Sequence, residues 1–183
     1  MKIITVVILI LMSLNICAQS FDIGEEFFAT GYMGDIDKIE MFSAHKDKPH
    51  TPPLCFMIRC IPDSLGWAGV YWQNTPDNWG ENKGDDFSNK NYNKIVFWAK
   101  GETGAEIIEF KSGGINKKQY KDSFLATTSP RRIPLTVNWV RYEIILAGKD
   151  LSSVIGGFAW VASINDNPNG VTLYLDDIKF VNE

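Results

Sequence analysis

Short apolar runs, alternating or continuous, recur along this chain, and none keeps a helical period long enough to make a helix. Clusters of Gly, Pro, Asn and Asp separate them, at 74–78, 113–114, 129–130 and 165–170. The pattern predicts strands near 25–30, 37–42, 53–61, 67–73, 93–100, 105–111, 131–136, 139–146, 155–163 and 171–181. A single helical turn is expected at 150–153. Many short strands without a long helix define an all-β chain, read as a two-sheet antiparallel β-sandwich and most simply a jelly roll. Nothing repeats at a fixed period and no linker interrupts the pattern, so residues 19–183 are expected to form one domain.

Alternation also assigns faces. In the segment 67–73, Trp67, Gly69, Tyr71 and Gln73 share one side, and Ala68, Val70 and Trp72 the other. In 94–100, Val96 and Trp98 oppose Ile95, Phe97 and Ala99, so both faces are apolar. Such a strand is central and covered on both sides, or its second face meets a ligand. Trp98, Trp139 and Trp160 lie inside strand patterns and are assigned to the core. Trp79, in a polar loop, is either a pin for that loop or a platform.

The first eighteen residues read differently. Lys2 precedes the apolar run 3–12, and a polar segment then ends in Cys17-Ala18. This is the layout of a secretory signal peptide cleaved after Ala18. The run is shorter than the ~20 residues of a membrane span. A lipobox around Cys17 is the competing reading, disfavoured by Ile16 where a small residue is usual. Export to the periplasm, cell surface or medium follows, with no membrane span.

Composition narrows the classes further. The chain has 183 residues, 45% hydrophobic and 22% charged, which excludes a disordered or collagen-like chain. A formal net charge of -4 argues against a nucleic acid partner, whose phosphates want a basic surface. Aromatic residues make up 13%, with six Trp, enough to fill a β core or to face a ligand. Cys55 and Cys60 would stand about 17 Å apart on one strand and on opposite faces, too far for a bridge. They are read as free, largely buried thiols, unless a turn between them allows a disulfide in an oxidising compartment.

No catalytic constellation emerges. His45 and His50 lie in the polar stretch 44–50 without metal-ligand spacing and read as solvated loop residues. There is no Gly-x-Ser-x-Gly turn. Glu106 and Glu109, three apart, would point to opposite faces, so one strand cannot offer both to a glycosidic bond. Carbohydrate binding asks for less: an aromatic face for the sugar's C–H surface and polar groups for its hydroxyls. The stretch 66–80 supplies that mixture, and Glu109 and Lys111 share a strand face beyond it. That pair is either a hydroxyl-binding couple or a solvated ion pair.

Several stretches, taken in order, carry a resemblance. They are 67–72, 97–102, 108–114, Leu135-Thr136 before Trp139, 150–152, 156–158 and the closing Leu173-Tyr174-Leu175-Asp176-Asp177-Ile178. Over roughly 25–181 the chain resembles the galactose-binding-like jelly rolls of exported bacterial proteins, in particular carbohydrate-binding modules of the family 11 and family 4 type. The resemblance implies a non-catalytic sandwich that binds poly- or oligosaccharide on an aromatic-lined concave sheet. The matching ligand-binding positions are Trp67, Tyr71 and Gln73, with Trp79, Glu109 and Lys111 beside them. It also implies a structural Ca2+ between the N-terminal segment and the last strand, at Asp176 with Asp35 as partner.

Two further readings stay open on the residues alone. One is a structural or protein-interaction scaffold without a glycan ligand, marked by a wide apolar patch. The other is a glycan-cleaving enzyme, which needs two carboxylates about 5–9 Å apart across a cleft.

Overall fold

In the computed structural model, residues 19–128 and 131–183 are described; the signal-peptide segment 1–18, with Cys17, lies outside them. The alternating runs become strands β1 (Ser20–Asp22), β2 (Phe28–Gly34), β3 (Ile39–His45), β4 (Cys55–Cys60), β5 (Trp67–Gln73) and β6 (Lys94–Gly101). They continue as β7 (Ile107–Ser112), β8 (Thr127–Thr128), β9 (Ile133–Pro134), β10 (Val140–Ile145), β11 (Gly156–Ser163) and β12 (Val171–Val181). One sheet runs β10-β6-β12-β4-β3, with β1 also on β12; the other runs β2-β5-β11-β7-β8, with β9 on β7. All pairings among the described residues are antiparallel, and apart from the β3–β4 pair and the β7–β9 group, consecutive strands alternate between the sheets, as in a jelly roll.

The core lies between the two sheets. Ile95, Phe97 and Ala99 of β6, with Leu173, Leu175 and Phe180 of β12, face Val70 and Trp72 of β5, Phe158 and Trp160 of β11, and Phe110 of β7. Phe97 bridges the layers, with ring centroids 4.7 Å from Phe110 and 4.9 Å from Phe158. Edge-to-face pairs of this kind add to the area they bury. Cys60 faces this core, while Cys55 joins Met57 and Tyr174 in a small cluster on the opposite side of β4. Both thiols are buried and free, on opposite faces as alternation required.

β12 carries one extra residue. Asp176 pairs with Trp98 and Lys179 with Val96, so three steps on β12 match two on β6. Asp177 takes φ 49 in this bulge. Leu175 and Ile178 can then both enter the core, while the two aspartates stay outside it.

Three local readings change. A four-residue helix α1 (Ile23–Glu26), capped by the Asp22 carboxylate on Glu25 N–H, stands where the first strand was expected to begin. Residues 150–153 form no helix; Asp150 instead accepts from Ser152 N–H at 2.9 Å. The strand expected at 131–136 shrinks to β9.

Candidate functional site

The outer face of the second sheet is built row by row from four strands. Trp67 on β5 lies opposite Ser163 on β11. In the next row Met33, Gly69, Val161 and Glu109 stand side by side, and in the third Gly31, Tyr71, Ala159 and Lys111. Trp67 is 38% exposed, and Glu109 and Lys111 are partly exposed. With strands about 4.8 Å apart and about 3.4 Å per residue, the Cα atoms of Trp67 and Glu109 are about 12 Å apart.

The other end of this face is closed. Tyr71 is 5% exposed, and its hydroxyl donates to Gly113 O at 2.9 Å. Gly113 takes φ 71, and a Cβ there would run into the Phe124 ring, so this anchor requires glycine. Gln73, expected to meet ligand, is fully buried. Its Nε2 donates to Asn78 O at 2.9 Å and its Oε1 accepts from the Thr30 hydroxyl, which leaves it no free role toward a sugar. The Tyr71 and Gln73 assignments are therefore corrected to supports beneath loops. Trp79 is a loop pin in part: its half-buried ring meets Tyr71 edge-on at 6.0 Å.

Asn78, unnoticed in the sequence, organises that loop. It is buried, donates to Asn74 Oδ1 and Asn82 O, and accepts from Gly80 N–H and Asn82 N–H. Asp122 ties a different pair of segments, accepting from the N–H groups of Ile115, Ile155 and Gly156. Burial pushes its carboxyl up to about 6 against the pull of those three donors. Asn78 carries a signal only in Pro76 and Gly80 nearby, which mark a turn without saying what it covers, and Asp122 has neither Gly nor Pro beside it.

Lys111 makes no ion pair among the described residues. Its ammonium lies 5.8 Å from the Tyr71 ring centre, and burial draws its pKa below the usual lysine value, opposed by the Glu109 charge. The solvated ion-pair reading for Glu109 and Lys111 is thus replaced by a donor and an acceptor standing separately on one face. Glu106 faces elsewhere: buried, it accepts from the N–H groups of Thr103, Gly104 and Ala105.

The two residues expected to hold calcium do not come together. Asp35 is buried and accepts four hydrogen bonds, from Asp63 N–H, Leu65 N–H, Gly66 N–H and the Ser64 hydroxyl. Burial pushes its carboxyl up, and these donors outweigh it and hold the pKa below the ordinary value. Asp176 follows Leu175, the partner of Phe56 near the start of β4, whereas Asp35 holds residues 63–66 beyond the other end of that strand. Asp176 instead gathers with His50 and Asp177, their ligand atoms within 4.8 Å of one another. Lys179 Nζ already stands 2.9 Å from Asp177 Oδ1 and 3.5 Å from Asp22 Oδ2. A ring nitrogen and an ammonium do not fit calcium, which takes six to eight oxygens.

The outer face of the first sheet corrects two core assignments. Trp160 is in the core, but Trp98 and Trp139 are partly exposed on this face. The 46–54 loop crosses above them: Trp139 Nε1 donates to Lys48 O, and the His50 ring stacks on Trp98 at 3.7 Å. His50 is therefore a packed, hydrogen-bonded residue, and His45 lies 5.4 Å from the Tyr174 ring.

No family model and no curated protein matches the sequence. The fold does match solved structures. A family 30 carbohydrate-binding module superposes with a TM-score of 0.60 at 16% identity, over 90% of this chain and 99% of that one. The family 11 module of the Clostridium thermocellum cellulosomal cellulase Lic26A-Cel5E gives 0.58 at 13% identity, over 91% and 95%. An exo-β-agarase gives 0.53 at 11% identity, over 89% of this chain and 25% of that one. The chain has the jelly-roll β-sandwich fold seen in carbohydrate-binding modules, and family 30 joins the family 11 named from the sequence. At these identities the likeness is one of fold. Among the described residues no helix is long and apolar enough to cross a membrane.

Proposed function

We propose that the protein is an exported, non-catalytic module that binds poly- or oligosaccharide on the outer face of its second sheet. The observation that carries this is Trp67, exposed on that face, with Glu109 and Lys111 on the same face and in no ion pair among the described residues. The indole takes the C–H face of a pyranose, Glu109 accepts from hydroxyls and Lys111 donates to them. A span of about 12 Å suits a short run of sugar rings rather than a single one. Cleavage has no support from Glu106, whose carboxylate is fully engaged by its own loop. Tyr71 and Gln73 hold the strand end, and Trp79 borders the face from its loop.

A glycan array probed with the protein and with Trp67→Ala tests this. The array should include β-1,3-1,4-mixed-linked glucan, because a family 11 module is solved with a mixed-linked tetrasaccharide. Binding weakened in the variant supports the assignment. Binding unchanged in Trp67→Ala overturns the site, and a folded protein that retains no glycan puts the scaffold reading in its place.

A further inference from the structure

The strand whose two faces both read as apolar, β6, is flanked by core on one side only. On its other side Trp98 borders a groove of about 390 Å³ whose lining includes Val96, Arg141, Asp177, Lys179 and Glu183. That is within the roughly 300–1,000 Å³ range of small-ligand sites. The His50 imidazole stacks on the same indole. Its ring lies 3.7 Å from the indole, with the planes 17° apart. That imidazole is itself fixed: His50 Nδ1 lies 2.9 Å from Asp177 Oδ2, the Thr51 hydroxyl donates to that oxygen at 2.6 Å, and Thr51 N–H donates to Asp176 at 2.9 Å. An indole held this way loses little further freedom when a ligand stacks on it.

The rim chemistry is balanced. Arg141 pairs with Glu183, and Lys179 with Asp177, so the two cations and two carboxylates of the lining offset one another. A neutral, hydroxyl-rich ligand matches that rim better than an anion or a cation does.

We propose that this groove is a second carbohydrate site, on the face opposite Trp67, where one pyranose stacks on Trp98 and its hydroxyls meet Arg141, Lys179, Asp177 and Glu183. The proposal rests on reading the protein as a glycan binder and makes it bivalent, able to hold two chains or two stretches of one polysaccharide.

Calorimetric titration with the β-1,3-1,4-mixed-linked tetrasaccharide tests it, using the wild type, Trp67→Ala, Trp98→Ala, Arg141→Ala and the Trp67→Ala/Trp98→Ala pair. Melting curves monitor folding in each, and Arg141→Ala serves should Trp98→Ala fail to fold. The expected result is two ligands per wild-type chain, one for each single Trp variant, a weakened second site in Arg141→Ala and none for the pair. A stoichiometry of one that Trp67→Ala abolishes, with Trp98→Ala and Arg141→Ala unchanged, overturns the groove and keeps the first site. A stoichiometry of one lost with Trp98→Ala and kept in Trp67→Ala does the reverse. No heat and no retention by the wild type overturns both.

Discussion

Replacing Trp67 and replacing Tyr71 should separate binding from folding, although the two side chains share a strand face. Trp67 is 38% exposed. On an aromatic side chain of roughly 250 Å² that leaves about 95 Å² for a sugar to cover, or about 2 kcal/mol at ~25 cal/mol per Å². Trp67→Ala should therefore weaken binding about 30-fold, since ~1.4 kcal/mol is tenfold. The buried part of the indole also contributes to folding, so affinity must be read well below the variant's melting temperature. Tyr71→Phe acts the other way. Removing the hydroxyl leaves the buried Gly113 carbonyl without its 2.9 Å partner, a loss of about 1–2 kcal/mol of stability. For a domain of this size that is a fall in Tm of about 3–6 °C, with affinity within about twofold of wild type. Calorimetric titration against mixed-linked β-glucan oligosaccharide and thermal melts give both readouts. Equal loss of affinity in the two variants, or none in Trp67→Ala, refutes the division of this face into an open end and a closed one.

Carboxyl 13C NMR should find Asp122 titrating near 6, because burial opposes its charge more than three backbone donors favour it. A folded pKa above the ordinary 3.8 means that this group stabilises the fold at low pH and loses that contribution as pH rises from about 4 to about 6; a midpoint near 4 would remove the argument. Asp177, held down to about 2 against burial by the Thr51 hydroxyl, Lys179 and His50, has the opposite sign, and its contribution is lost as pH falls from about 4 toward 2. Chelation with EDTA should leave Tm in place, and Lys179→Met should lower it, because the ammonium joins Asp22 of β1 to Asp177 of β12. A fall in Tm on chelation would return a divalent ion to that position. Gly101→Ala should destabilise by about 1–3 kcal/mol in denaturant melts, since its Cβ would meet the Glu106 carboxylate that holds residues 103–105. Wild-type stability there would mean that this loop yields freely.

Side-chain alternation made β5, β6, β11 and β12 legible, because each runs seven residues or more and buries a full face. It named the partners of Trp67 on its face correctly and could not say which of them water reaches. That depends on loops returning from elsewhere. The loop after Gln73 folds back through Asn78, and Gly113 arrives from 42 positions beyond Tyr71. Trp98 shows the same limit in reverse. Two apolar faces on one strand look like double burial until the neighbours are known, and here the second face meets His50 and Thr51, whose hydrogen bonds to Asp177 and Asp176 span more than a hundred residues. Asp35 failed as a metal ligand for a related reason, since its oxygens serve the N–H groups of residues 28 to 31 positions away. Residue type therefore marked which side chains can stack on or hydrogen-bond a sugar, and the anchoring of three loops, by Asn78, Asp122 and Thr51, decides which of them remain available to do it.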